Sequence, residues 1–155
     1  MMQTFTIEYN GYTITTDKSL IPVASVHKWL SEESYWAKHI PYNIVKRSFD
    51  NSYTIGILKE GELVGYGRFI TDYATFAYLA DVFVTEPHRG IGLSKKMMEL
   101  LMGLEWVQGL RSLLLGTLDA QGLYAQFGFI NPKVPERIMQ LLRQGIYEQP
   151  GNISS

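Results

Sequence analysis

The stretch Val82-Phe83-Val84-Thr85-Glu86-Pro87-His88-Arg89-Gly90-Ile91-Gly92-Leu93-Ser94-Lys95-Lys96-Met97-Met98 decides the fold. An apolar strand runs into a loop holding two glycines, an arginine and a serine, and then directly into a helix. Leu93, Met97, Leu100, Leu101 and Leu104 recur at i, i+4, i+7, i+8 and i+11, one stripe of an amphipathic helix. Backbone N–H groups at a helix start lack partners and carry the positive end of the helix dipole, so they suit an anion such as phosphate. Glycine lets a ligand approach the backbone closely because no Cβ intervenes. Residues 86–96 hold Arg89, Lys95 and Lys96 against Glu86 alone, a local positive excess in a chain of net charge −1. Two common phosphate loops do not fit. Gly90-x-Gly92 is followed by Lys95 where G-x-G-x-x-G needs glycine, and no Gly-Lys-Ser/Thr occurs. Taken alone, the segment also suits a plain helix start with a turn glycine.

Working outward, residues 53–58, 63–71 and 75–84 read as three strands joined by short turns, which implies an antiparallel meander. Beyond the helix, residues 111–117 form a short, nearly all-apolar strand, the pattern of one buried on both faces. Strand 75–84, helix 93–104 and strand 111–117 make a β-α-β unit, whose crossover is expected to be right-handed and whose strands parallel. Asp119 is expected to cap a short helix reaching about Gln126. Residues 127–130 leave it as a strand, and 136–142 suit either a strand or a helix. At the other end, residues 4–16 are rich in β-branched and aromatic types around Asn10-Gly11, either a hairpin or one broken strand. Pro22 opens a helix with Val23, Val26, Trp29 and Leu30 on one face; Ser34-Tyr35-Trp36 ends it, and Ile40-Pro41 forces an extended step. A short helix over about 43–49 turns Ile44, Val45 and Phe49 inward. The expectation is a single α+β domain over residues 1–148, with a mixed, mostly antiparallel sheet and a flexible tail at 149–155.

The chain has 155 residues and 17.7 kDa, enough for one domain with a proper core. With 46% hydrophobic residues and a charge near zero it is not a disordered chain. Its basic residues are dispersed among acids, which argues against nucleic acid as a partner. Cysteine is absent, so disulfides, Cys-ligated metals and every Cys-nucleophile mechanism are excluded. His27, His39 and His88 are not spaced as metal ligands, so no metal is expected. The longest aliphatic run is Leu113-Leu114-Leu115, far from the ~20 apolar residues of a membrane span. With no basic, apolar leader at its start, the chain reads as a cytoplasmic protein without membrane attachment, a monomer or a homodimer.

Arg89-Gly90-Ile91-Gly92-Leu93-Ser94 resembles the acyl-CoA-binding motif of the GNAT N-acetyltransferase family, Arg/Gln-x-x-Gly-x-Gly/Ala, with Arg89, Gly92 and Ser94 at its three positions. Ser94 departs from the usual Gly/Ala. The segment from Asp119 to Phe129 is similar to a second family pattern, Asn-x-x-A-x-x-x-Tyr-x-x-x-Gly-Phe; Asp119 replaces its Asn and Tyr124 matches its Tyr. The resemblance covers about residues 53–130. It implies a GNAT fold, a three-layer α/β sandwich, with the parallel unit at the acyl-CoA site.

By that resemblance the chain is an acetyl-CoA-dependent N-acetyltransferase. Backbone groups of Val82, Phe83 and Val84 would hold the pantetheine arm. The loop of Arg89, Gly90, Ile91, Gly92, Leu93, Ser94 and Lys95 would hold the pyrophosphate, with Asp119 beside the arm. Tyr124 would be the general acid, since a phenol of ordinary pKa near ~10 can protonate a departing thiolate. Asp81, two residues before Phe83 and so on its face of the strand, is a candidate base whose burial would raise its pKa, or a structural carboxylate. His39, Glu33 and water-mediated deprotonation are alternatives. Tyr35 and Trp36 would wall the acceptor pocket or pack between helices. The acceptor, a small-molecule or peptide amine, is not readable. Without cysteine, direct attack in a ternary complex is the natural route. The competing reading is a non-catalytic acyl-CoA-binding module.

Overall fold

Asn10 and Gly11 both take positive φ, 50° and 84°, the pair of left-handed conformations that a two-residue hairpin turn of type I′ requires. The N-terminal segment is therefore a hairpin, β1 (Thr6–Tyr9) and β2 (Tyr12–Thr15). The computed structural model describes residues 3–148; the expected tail at 149–155 lies outside them. Helix α1 (Val23–Glu33) follows Pro22, and α2 (Tyr42–Asp50) follows Pro41, each proline standing just outside its helix in extended conformation. Val26 and Leu30 of α1, and Val45 and Phe49 of α2, are buried as their spacing predicts.

The three expected strands are β3 (Tyr53–Lys59), β4 (Glu62–Thr71) and β5 (Phe76–Val84), antiparallel in sequence. Helix α3 (Leu93–Met102) then crosses to β6 (Ser112–Leu115), which pairs parallel to β5. The sheet order is β1-β2-β3-β4-β5-β6. Two cores sandwich it. On the inner face Ile55, Ile57, Phe69 and Leu79 meet Met97, Met98 and Leu101 of α3. On the outer face Tyr66 and Phe83 meet Val26, Leu30, Val45 and Phe49 of α1 and α2.

Several local expectations are corrected. The helix stripe breaks after Met102, and Glu105–Gln108 form a separate short turn, α4, with Gly103 between them. Strand β6 is half-buried throughout instead of enclosed on both faces, because it is the edge of the sheet. Helix α5 spans Gln121–Ala125, and Asp119 does not cap it. Ala120 is the N-cap residue and no side chain caps the helix; Thr117 Oγ1 accepts the Ala120 N–H at 3.0 Å just before it. Residues 127–130 form no strand. Residues 136–142 form neither strand nor helix beyond a single turn at Pro135–Arg137. Neither segment pairs with a strand among the described residues; Phe127 and Phe129 nevertheless pack on the inner core, whereas 136–142 are exposed.

Burial raises the Tyr66 phenol far above its usual value; nearby Arg68 opposes the shift and Asp81 adds to it. Tyr53, Tyr73 and Tyr124 are also raised, mainly by burial. A raised folded-state pKa means the neutral phenol is favoured in the fold, so this stabilisation is complete below the unfolded value near ~10 and is lost as pH climbs through it. Melting temperature should therefore fall steeply above about pH 10, and Tyr66→Phe should flatten that fall in an alkaline thermal-denaturation series.

Candidate functional site

Gly92 is the N-cap of α3 at φ 86°, with no side-chain cap, and Gly90 sits at φ 80°. Two left-handed residues within three let the chain turn sharply from β5 into the helix, and non-glycine residues would be strained there. The first N–H groups of α3 are left without a side-chain acceptor. Beside them lies a cavity of about 190 Å³. Val84, Arg89, Gly90 and Gly92 line it from the strand and loop, Leu93, Ser94 and Lys95 from the helix, and Leu123 from α5. Ile91 points outward and is exposed. Lys96 turns away: its Nζ lies 5.0 Å from the Tyr9 ring centre and 3.7 Å from Glu99. The positive charge at the cavity is thus Arg89 and Lys95.

The loop is braced from two sides. Arg89 Nε donates to the Val84 carbonyl at 2.7 Å, which pins the guanidinium stem to the strand end. His88, whose Nδ1 lies 2.8 Å from the Tyr12 hydroxyl, clasps the loop to the N-terminal hairpin. Neither His88 nor Tyr12 stands out in the sequence as half of such a contact. A tyrosine beside the Asn-Gly turn carries no local sign of a partner 76 residues away.

Parallel pairing between β5 and β6 stops at Leu79↔Leu115. From Ala80 to Val84 the far edge of β5 has no strand partner among the described residues, and this open edge runs to the cavity. Val82 and Phe83 stand on it with side chains to opposite faces. Val82 packs with the inner core, and Phe83 stacks on Trp29 at 4.1 Å and 6°.

Asp81 sits in a β-bulge. Between the pairs Tyr66↔Phe83 and Arg68↔Ala80, Asp81 and Val82 together oppose the single residue Gly67. Asp81 has φ 55°, which Asp tolerates better than most side chains. Its carboxylate is fully engaged: Oδ2 accepts from Arg68 Nε at 2.8 Å and Oδ1 from Trp36 Nε1 at 2.8 Å. The Arg68 and Asp81 side chains are only 15% and 12% exposed. Arg68 also donates to Ser52 Oγ at 2.9 Å. Arg68 escaped the sequence reading, although a lone arginine in an apolar strand, one strand from a lone aspartate, was the available signal.

Tyr35 and Trp36 are exposed rather than packed between helices. Their loop is held by Ser34, a buried residue whose hydroxyl donates to the Leu30 carbonyl and accepts the Ala37 N–H. The two rings meet edge-on at 5.0 Å, and Trp36 lies 5.8 Å from Trp29. An aromatic series thus leads from the surface down to Phe83 on β5. Glu33 is exposed, and His39 faces Glu148 at 3.7 Å, so neither joins the Asp81 cluster.

Tyr124 is buried on α5, one residue from the cavity wall at Leu123, with its ring edge-on to Phe129 at 6.1 Å. Its hydroxyl makes no hydrogen bond to the described residues, and burial raises its pKa, so it is a neutral proton donor at physiological pH. Asp119 is exposed and makes no side-chain hydrogen bond among the described residues. No group of three or more metal-ligating side chains comes together among the described residues, and none of their helices is long and apolar enough to cross a membrane.

The chain belongs to the GNAT acetyltransferase family: residues 23–129 match the model described as the acetyltransferase (GNAT) family. A GNAT-family protein of Xanthomonas campestris pv. campestris, provisionally named an acetyltransferase, is 42% identical and superposes with a TM-score of 0.87 over 92% of this chain and 100% of its own. A provisionally named acetyltransferase of Gibberella zeae is 29% identical over 137 residues, 74% of this chain and 76% of its own. A structure from Deinococcus radiodurans shares the fold at 16% identity, with a TM-score of 0.70 over the whole of both chains.

Proposed function

We propose that this chain is a single catalytic domain over residues 1–148 that moves an acetyl group from acetyl-CoA to a primary amine by direct attack in a ternary complex. The observation that carries this reading is the cavity at the uncapped start of α3, continuous with the open edge of β5. A phosphate-rich thioester suits both parts. Arg89 and Lys95 supply charge, and the N–H groups after Gly92 supply donors for the pyrophosphate. The free edge of Val82–Val84 offers backbone groups to an amide-bearing arm, and we assign the exposed Asp119 to the same arm. Acetyl-CoA supplies an activated acyl group. Tyr124 keeps a proton on its Oη at neutral pH and can deliver it to a departing sulfur. Asp81 acts with Trp36 and Tyr35 on the amine side, its carboxylate attracting a cationic amine and accepting its proton directly or through water. Because both its oxygens are engaged, we assign Asp81 an orienting role first.

The same engagement favours one rival: an acyl-CoA-binding module that lacks a free base. One experiment separates them. Acetyl-CoA at a hundredfold excess over its Kd should stabilise the protein by about 2.7 kcal/mol, a rise of roughly 5–10 °C in melting temperature. Gly92→Val should abolish most of that rise, since valine is strained at φ 86°. A panel of small amines and peptides should then release free thiol. Stabilisation without thiol release from any amine supports the binding module, and no stabilisation by acetyl-CoA or CoA removes both readings.

A further inference from the structure

We propose that the acceptor is a primary monoamine joined through a short spacer to a flat aromatic ring, received by a wall of Tyr35, Trp36, Trp29 and Phe83. This acceptor class rests on the acetyl-transfer reading above. Two rings of the wall stand in water. Tyr35 is 68% and Trp36 42% exposed, whereas Trp29 is half-buried and Phe83 lies in the outer core. A single exposed apolar side chain is ordinary. Two exposed rings continuous with buried ones, beside a nearly enclosed ion pair, form a patch suited to contact. Phe83 itself belongs to the open edge assigned to the thioester arm, so a guest on the wall is held beside that arm.

The rings are fixed in place by the chain's own bonds. Ser34 is buried, and its hydroxyl holds the loop on both sides, donating to the Leu30 carbonyl and accepting the Ala37 N–H. The Trp36 indole N–H is spent on Asp81 at 2.8 Å, so the exposed part of that ring offers π surface alone. Trp29 stacks on Phe83 and meets Trp36 at 48°, and Tyr35 stands at 83° to Trp36. Rings inclined in this way let a flat guest stack on one and meet the edge of the next, the two arrangements aromatic pairs prefer. A wall already ordered loses little freedom when a guest binds.

Charge narrows the guest further. Asp81 is matched by Arg68, so the pair is neutral as a unit. Among the described residues no further charged side chain hydrogen-bonds to either member. One ammonium can lean on the Asp81 carboxylate. A second positive charge, as on a polyamine, or a carboxylate, as on an amino acid, would find no free counter-ion here. The spacer is short because Trp36 Nε1 lies 2.8 Å from that carboxylate, which puts an amine held there beside the indole already. In the reaction the ammonium first gives one proton to Asp81 or water. Its nitrogen then bonds to the acetyl carbon as the C–S bond breaks, and Tyr124 protonates the sulfur. The second proton on nitrogen returns through solvent to Tyr124.

The test uses the full chain and two amines of one carbon skeleton, 2-phenylethylamine and 2-cyclohexylethylamine, beside spermidine and glycine. Thiol release from acetyl-CoA should give a kcat/KM about tenfold higher for 2-phenylethylamine than for its saturated counterpart, the upper end of what one ring pair adds beyond area burial. Trp36→Leu should bring that ratio close to one. Tyr35→Ala should lower it part of the way, and Tyr35→Phe should keep it. Calorimetric titration of the same two amines into the CoA-loaded protein reads the preference without turnover. Equal release from the two skeletons, or fastest release with spermidine or glycine, overturns the aromatic acceptor and leaves acetyl transfer standing. A calorimetric preference that depends on Trp36, with no thiol released by any amine, supports the aromatic site and removes acetyl transfer. No preference in either measurement overturns the proposal.

Discussion

Tyr124→Phe should lower turnover with acetyl-CoA and a competent amine at least about 100-fold, the lower end of what a positioned general acid contributes, while acetyl-CoA affinity stays essentially unchanged. The expectation follows from the residue's surroundings. The ring is buried and edge-on to Phe129, and phenylalanine keeps both features. The hydroxyl has no protein partner among the described residues, so its removal orphans no buried donor or acceptor. Stability should therefore hold, and the loss should fall on the chemical step. The pH dependence gives a second readout. Because burial raises the phenol, the acid form persists through neutral and moderately alkaline pH, and turnover in the wild type should show no decline from this group below about pH 10. A parallel loss of affinity and turnover, or no loss of either, would count against the acid role. Steady-state kinetics from pH 6 to 10 with calorimetric binding of acetyl-CoA distinguishes these outcomes.

Arg68→Met should destabilise the fold by about 3–5 kcal/mol, the usual cost of removing one partner from a buried ion pair, or roughly 6–20 °C in melting temperature. The pair is nearly enclosed, and Asp81 is held at a bulge with positive φ, so an uncompensated carboxylate there has no cheap escape. Adding Asp81→Asn to Arg68→Met should recover part of the loss, because the neutral amide still accepts from Trp36 and leaves no bare charge. Chemical denaturation of the two single variants and the double variant measures the coupling. If the double variant is no more stable than Arg68→Met, the ion pair is not the cause. The amine side carries a separate consequence. Trp36 is anchored to Asp81, so Asp81→Ala should raise the KM for the amine more than that for acetyl-CoA.

How much of this was legible in the sequence depended on how local the determining physics was. The meander and the β-α-β unit are written in strand alternation, glycine-rich turns and the helical stripe from Leu93 to Leu101, and the structure contains them. The anion-suited loop was legible because glycine placement and charge act within ten residues. Arg68 and the Tyr12–His88 contact were missed because each becomes meaningful only when distant strands are brought into register. Asp119 is not a cap because the helix starts one residue later, with Ala120 at the N-cap position. The last third of the chain misled for a different reason. Leu113-Leu114-Leu115 and residues 127–142 have the composition of buried structure, yet β6 is a half-buried edge and 131–142 are exposed.

The contact between Tyr12 and His88 bears on how the molecule can be taken apart. The segment that bears the family motifs, about residues 53–130, contains the loop but not the hairpin that clasps it. Such a fragment would leave His88 with no Tyr12 to face and would strip β2 from the flank of β3. Joining ends that far apart costs loop-closure entropy, repaid only once the hairpin has docked. The glycine loop is therefore braced on this side only when the hairpin is docked against β3. Deleting the hairpin should leave an incomplete loop rather than a smaller working enzyme.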